Sequence, residues 1–115
     1  MAAEHQAVGQ HALLDITGAD QLDDPAFLEH VLRTAAQAAG AHVIGGHFHH
    51  FGPAQGVTGV LLLAESHISV HTWPERTLAA FDIFMCGSAL TSRAVATISD
   101  FFPSTRISAQ TIARG

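Results

Sequence analysis

Two segments of the chain carry apolar residues at the spacing of an α-helix. In the first, apolar side chains recur every three or four positions and share one face: Leu28, Val31, Leu32, Ala35 and Ala36. Asp24 provides an N-cap acceptor, Pro25 suits the first helical position, and Gly40 suits a left-handed C-terminal residue. A second helix is predicted over residues 89–102, where Pro103 would end it. Its buried face would consist of Ala94, Val95, Ile98, Phe101 and Phe102.

The other apolar segments are short and predict β-strands. Residues 57–64 are apolar on both faces, which is typical of a strand buried on both sides or packed at an interface. The remaining predicted strands are residues 11–16, 41–51, 66–72, 78–85 and 106–112. Residues 1–9 are small, polar and aperiodic, and we expect a loose start there.

The order of these elements predicts an α+β fold. We expect a two-layer sandwich in which two helices cover one face of a mostly antiparallel sheet. A chain of 115 residues holds one such domain, so residues 1–115 are predicted to form a single domain. A domain this small gains stability by pairing with a second copy, which predicts a homo-oligomer, either a homodimer or a higher assembly.

Composition excludes several classes of partner. The formal net charge is −5, with only five Lys and Arg residues and no basic cluster, which argues against nucleic acid and favours small cationic molecules. The longest uninterrupted apolar run, residues 60–64, is too short to span a membrane. The single cysteine, Cys86, rules out an internal disulfide framework and suits a reduced compartment, so we expect a cytoplasmic protein.

One segment carries the most chemical information. Residues 65–75 read ESHISVHTWPE, after GVTGVLLLA at residues 56–64 and before FMCG at residues 84–87. The hydroxyl of Ser66 stands beside the backbone carbonyl of Glu65. On a straight strand Ser66 and His71 would face opposite sides of the sheet, so a turn or bulge at Glu65 and Ser66 is needed to bring them into one pocket.

These three sequence segments resemble those of the prokaryotic pyruvoyl-dependent S-adenosylmethionine decarboxylase proenzymes. The resemblance implies cleavage between Glu65 and Ser66, which would give a beta chain of residues 1–65 and an alpha chain of residues 66–115. The alpha chain would begin with a covalent pyruvoyl cofactor made from Ser66. Such a ketone forms a Schiff base with the substrate amine and accepts the electrons that CO₂ leaves behind. The implied reaction converts S-adenosylmethionine to S-adenosylmethioninamine, the aminopropyl donor for spermidine.

The resemblance also implies a role for each matched residue. Ser66 is the pyruvoyl precursor, His71 assists the elimination step, and Cys86 returns a proton to the substrate carbon after CO₂ leaves. An unperturbed thiol is protonated at neutral pH and can serve as this acid. Thr58 and Glu65 support processing.

Two further residues are implied to bind substrate. Phe51 resembles the aromatic residue that stacks on adenine, and Glu75 resembles the carboxylate that binds the ribose hydroxyls. Trp73 is interpreted as a packing residue. The chain departs from the family pattern at residues 76–78, which read RTL where the family has Tyr-Gly-Tyr, and at residues 86–88, which read CGS where the family has Cys-Gly-Asp. An altered pocket leaves open a pyruvoyl-dependent arginine or ornithine decarboxylase on the same fold.

Two alternatives of other classes remain at this stage. The chain has nine histidines, and a metal-binding module would draw on His47, His49, His50 and His67. This set has no cysteine pair and no acidic ligand nearby, so no metal site is predicted. A serine hydrolase would use Ser66, His71 and Asp82, but the chain lacks the Gly-x-Ser-x-Gly elbow. Only the pyruvoyl hypothesis predicts that one gene product runs as two fragments.

Overall fold

The computed structural model describes residues 7–115. Residues 1–6, which are part of the loose start expected at residues 1–9, lie outside the described residues. The elements in chain order are β1 (Gly9–Thr17), α1 (Pro25–Ala39), β2 (Val43–His50), β3 (Val57–Leu63), β4 (Ser66–Trp73), a short 3₁₀ helix (Pro74–Arg76), β5 (Leu78–Cys86), α2 (Thr91–Asp100) and β6 (Arg106–Arg114). The predicted α+β class is confirmed, with two α-helices and six strands among residues 7–115.

The strands form one antiparallel sheet in the order β2-β3-β4-β5-β1-β6. The first strand therefore lies inside the sheet, between β5 and the last strand. Helix α1 packs over β2, β3 and β4, whereas α2 packs over β1 and β5. The core lies between this helical layer and the sheet.

The signals at the ends of α1 act as predicted. The Asp24 carboxylate accepts hydrogen bonds from the N–H groups of Ala26 and Phe27, at 3.1 and 3.2 Å. Gly40 ends the helix with a left-handed φ of 77°. Helix α2 is shorter at both ends than the predicted residues 89–102, and at its C-terminal end the residue before Pro103 is disfavoured in the helical conformation. Phe102 is nevertheless buried.

The side of the sheet away from the helices will be called the open face. Along β4 the buried residues Ile68, Val70 and Thr72 point toward the helices, and the alternate residues point to the open face. On β4 and β5 the open face carries His67, Ser69, His71, Trp73, Ala80, Asp82, Phe84 and Cys86.

Among residues 7–115, neither helix is long and apolar enough to cross a membrane.

Candidate active site

The candidate residues fall into two groups at opposite ends of β4. The first, the serine group, consists of Glu65, Ser66 and Cys86. The second, the histidine group, consists of Thr58 and His71 together with the cleft beside them. Strand pairing explains the grouping: His71 lies directly opposite Thr58 on β3, whereas Ser66 stands at the start of β4 beside the end of β5.

The serine group brings the Ser66 hydroxyl and the Cys86 thiol close to the backbone carbonyl of Glu65. A turn joins β3 to β4, and in it Glu65 adopts a left-handed φ of 59°, a conformation that is uncommon for a residue with a side chain. The Cys86 N–H donates a hydrogen bond to the Ser66 hydroxyl oxygen at 3.3 Å. The Cys86 thiol donates to the carbonyl oxygen of Glu65 at 3.1 Å.

This geometry suits an attack by the Ser66 hydroxyl on the Glu65 carbonyl. The backbone N–H of Cys86 fixes the hydroxyl oxygen without using the hydroxyl proton, which stays available for removal. The thiol of Cys86 stands where it would stabilise negative charge developing on the carbonyl oxygen. Its sulfur lies 3.9 Å from the Ser66 oxygen, so one side chain contacts both reacting groups. A cleft of about 390 Å³ opens beside Cys86, between the start of β1 and the start of α2.

The histidine group is built on β3 and β4. The hydroxyl of Thr58 and Nδ1 of His71 are 3.0 Å apart and share a hydrogen bond, whose donor depends on the imidazole tautomer. Beside this pair lies a cleft of about 200 Å³ lined by Phe51, Gln55, Gly56, Thr58, His71, Thr72, Trp73 and Glu75. The structure thus brings both residues implied to bind substrate into one cleft with His71.

Two residues of this cleft were missed by the sequence reasoning. Trp73 was assigned to packing, but it is 38% exposed on the cleft wall, with its ring centroid 6.3 Å from that of His71. A signal was present in the sequence, because Trp73 follows His71 by two positions and so shares its strand face. Gln55 also lines the cleft, and no strand periodicity places it there, because it lies in the loop between β2 and β3.

The two groups do not meet within one chain. Ser66 and His71 are five positions apart along β4, which corresponds to about 16 Å at the rise of a β-strand. The turn at Glu65 is present, but it does not bring Ser66 into the cleft of His71.

The two alternatives of other classes receive no support from the geometry. Among the described residues, no group of three or more His, Cys, Asp and Glu side chains is arranged to hold a metal ion. The histidines proposed for that role on β2 therefore form no metal centre here. Asp82, the third member of the hydrolase hypothesis, pairs with His11 at 3.5 Å, and His71 instead pairs with Thr58.

The described residues thus form a small α+β domain with two helices on one face of an antiparallel sheet, in which a serine hydroxyl and a thiol lie at one backbone carbonyl. The family model for S-adenosylmethionine decarboxylase matches residues 10–115, and the chain belongs to this family.

Relatives from bacteria and archaea agree with this assignment. The S-adenosylmethionine decarboxylase proenzyme of Synechococcus sp. (strain WH7803) is 54% identical over 82 residues, which cover 70% of this chain and 63% of that protein. The proenzyme of Methanococcus maripaludis (strain C5) is 42% identical over 111 residues, covering 94% and 90%. The crystal structure of the adenosylmethionine decarboxylase from Aquifex aeolicus VF5 matches with a TM-score of 0.87 and 37% identity, covering 96% of this chain and 93% of that one. The chain thus spans less than two thirds of the length of the Synechococcus relative.

Proposed function

We propose that this chain is a self-processing, pyruvoyl-dependent decarboxylase that converts S-adenosylmethionine to S-adenosylmethioninamine and CO₂ for spermidine biosynthesis. The observation that carries the proposal is the placement of the Ser66 hydroxyl and the Cys86 thiol at the Glu65 carbonyl. The proposal also rests on membership of the family, whose relatives bear this activity in their names.

Processing follows from the serine group as a balanced sequence. The Ser66 oxygen bonds to the Glu65 carbonyl carbon, the Glu65–Ser66 C–N bond breaks, and the amide becomes an ester with a free amine on residue 66. Loss of the Cα proton of residue 66 then expels the Glu65 carboxylate from Cβ and ends the first chain. Water replaces the nitrogen, which leaves as ammonia, and residue 66 becomes a pyruvoyl group. His71 is the base for the Cα proton, because imidazole accepts protons near neutral pH.

The histidine must then come from a second copy of the chain. An isologous pairing of two open faces in antiparallel orientation would set the serine group of one copy against the histidine group of the other, and would do so twice. The open face carries exposed apolar side chains that such a pairing would cover, namely Leu62, Trp73 and Ile112, which are 51%, 38% and 44% exposed. We therefore propose a homodimer of processed chains with two shared sites.

The cleft of the histidine group suits an adenosyl substrate. Phe51 and Trp73 offer two aromatic surfaces on which adenine can stack. Glu75 presents a carboxylate that can accept hydrogen bonds from both ribose hydroxyls. A cationic sulfonium is attracted to a chain of net charge −5. Arginine and ornithine lack the adenosyl group, so they would leave the aromatic walls of the cleft without a partner.

The pyruvoyl group supplies a carbonyl that condenses with the substrate amine and accepts the electrons of the departing carboxylate. The residues of the chain bind the adenosyl group, orient the carboxylate and deliver a proton. Cys86 is assigned as the proton donor, because its thiol lies 3.9 Å from the Ser66 side chain and so beside the residue that becomes the pyruvoyl group.

Intact-mass spectrometry of the purified protein tests this function. We expect fragments of residues 1–65 and 66–115, with the second fragment lighter than the simple hydrolysis product by one ammonia. Ser66→Ala should remain whole. Ser99→Ala is the matched control, because Ser99 bonds within α2 and should not affect cleavage. Cleaved protein should release labelled CO₂ from carboxyl-labelled S-adenosylmethionine. A wild-type chain that stays whole and releases no CO₂ would refute the proposal.

A further inference from the structure

Thr72 is one of the buried polar residues of the sheet, and its hydroxyl makes two hydrogen bonds there. The side chain is 5% exposed and points toward the helices, away from the side chains of His71 and Trp73. It donates to the backbone carbonyl of Leu22 at 2.6 Å and accepts from the backbone N–H of Val57 at 2.9 Å. The hydroxyl thereby ties the loop before α1 to two adjacent strands.

The backbone of Thr72 is packed as closely against the loop between β2 and β3. A Cβ atom added to Gly56 would overlap the carbonyl oxygen of Thr72, so this contact requires glycine. The carbonyl of Gly56 in turn accepts a hydrogen bond from the N–H of Phe51 at 3.0 Å. Thr72 is therefore the point against which the loop that carries Phe51 rests.

We propose that Thr72 is a positioning residue for both functions of the histidine group, an inference that rests on the function proposed above. Its bond to Val57 fixes β3 one residue before Thr58 and therefore sets the 3.0 Å contact between Thr58 and His71. Because Gly56 precedes Val57, the bond from the Thr72 hydroxyl to Val57 also holds the loop that carries Phe51 against the backbone of Thr72, and so at its distance from the wall formed by Trp73. The role requires the hydroxyl rather than the bulk of the side chain.

Valine separates these two contributions, because it has the shape of threonine and lacks the hydroxyl. Thr72→Val would leave the N–H of Val57 and the carbonyl of Leu22 without partners in a dry interior, so strand and loop must move apart to reach other partners. Thr72→Ser keeps the hydroxyl and removes only a methyl group. A positioning role predicts that serine rescues what valine loses.

The test compares Thr72→Val and Thr72→Ser with a control that weakens the fold elsewhere. Val31→Ala is suitable, because Val31 is fully buried on α1 and lies outside both groups. We expect Thr72→Val to slow self-cleavage and to raise KM for S-adenosylmethionine about tenfold, with kcat per pyruvoyl-bearing chain changed by less than about twofold. The serine variant and Val31→Ala should keep the wild-type KM, although Val31→Ala lowers Tm.

The KM of Thr72→Val decides whether Thr72 has this positioning role. A wild-type KM in Thr72→Val would overturn the inference, and so would a KM that rises equally in Val31→Ala. In both cases an active wild-type protein leaves the proposed function intact. If wild type neither cleaves nor releases CO₂, the proposed function fails and this inference falls with it. If Thr72→Val does not fold, Thr72→Cys retains a weak donor and acceptor at the same place. A KM above that of wild type in this variant would support the role, and a wild-type KM would contradict it.

Discussion

The proposed division of the site between two chains predicts that two inactive variants restore each other. A Ser66→Ala chain cannot form the pyruvoyl group, and a His71→Ala chain lacks the base that processing requires. In a mixed dimer, Ser66 of the His71→Ala chain faces the intact Thr58 and His71 of the Ser66→Ala chain. That site is complete, whereas the second site of the same dimer lacks both residues.

The structure and the random pairing of chains give the expected level of restored activity. About 16 Å separates Ser66 from His71 within a chain, which excludes proton transfer between them in one copy. With random pairing of equal amounts, about half of the dimers are mixed, and each holds one complete site of two, so activity should reach about a quarter of the wild-type level. About half of the His71→Ala chains should be cleaved in the same sample, since half of them have a Ser66→Ala partner.

The assay uses co-expression with two different affinity tags, followed by purification of the doubly tagged dimer, in which activity should reach about half of the wild-type level and all His71→Ala chains should be cleaved. Intact mass then reports which chain is cut, and CO₂ release reports turnover. Each variant expressed alone provides the background. If the doubly tagged dimer stays uncut and inactive while wild type cleaves, the two groups belong to one chain, and the shared-site arrangement is refuted.

Three other substitutions test individual contacts. Cys86→Ala should slow cleavage about 100-fold through loss of the donor to the Glu65 carbonyl, and Cys86→Ser should cleave but turn over slowly. Equal time courses of cleavage for Cys86→Ala and wild type, followed by mass spectrometry, would show that the thiol has no role in processing. Thr58→Val should slow cleavage about tenfold by removing the hydrogen bond to His71, and Thr58→Ser should restore the cleavage rate. Equal cleavage rates of the valine and serine variants, measured by gel densitometry, would contradict the role of the hydroxyl. Asp24→Ala should lower the free energy of unfolding by about 1 kcal/mol and leave cleavage unchanged, as thermal denaturation would measure; an unchanged Tm would show that the cap contributes little.

Local signals in the sequence were sufficient for most of the fold. The ends of α1 were predictable because Asp24 and Gly40 act on backbone groups a few residues away. The alternation of residues 66–72 identified β4 and its two faces. The position of β1 between β5 and β6 could not be read from these patterns, because strand order depends on contacts between distant parts of the chain.

The sequence reasoning was less complete for the site. It named both members of the pair formed by Thr58 and His71, but it did not identify the strand register that joins them. It predicted that a turn or bulge at Glu65 and Ser66 is needed to bring Ser66 and His71 into one pocket, because a family motif shows which residues occur together and not which chain each one belongs to. Trp73 was misplaced for a different reason, since a large aromatic side chain is usually a core residue.

The five-residue spacing between Ser66 and His71 has a chemical consequence. A strand cannot fold back on itself within five residues while it remains paired on both sides, and β4 pairs with β3 and with β5 along this length. On the proposed function, Cys86 would activate the bond between Glu65 and Ser66 within the chain, whereas His71, the proposed base for the elimination, is beyond reach. A single copy can therefore be ready for the acyl shift and still remain whole. On this arrangement, pairing of the open faces is the event that commits the chain to cleavage, so the cofactor forms only after its site has assembled.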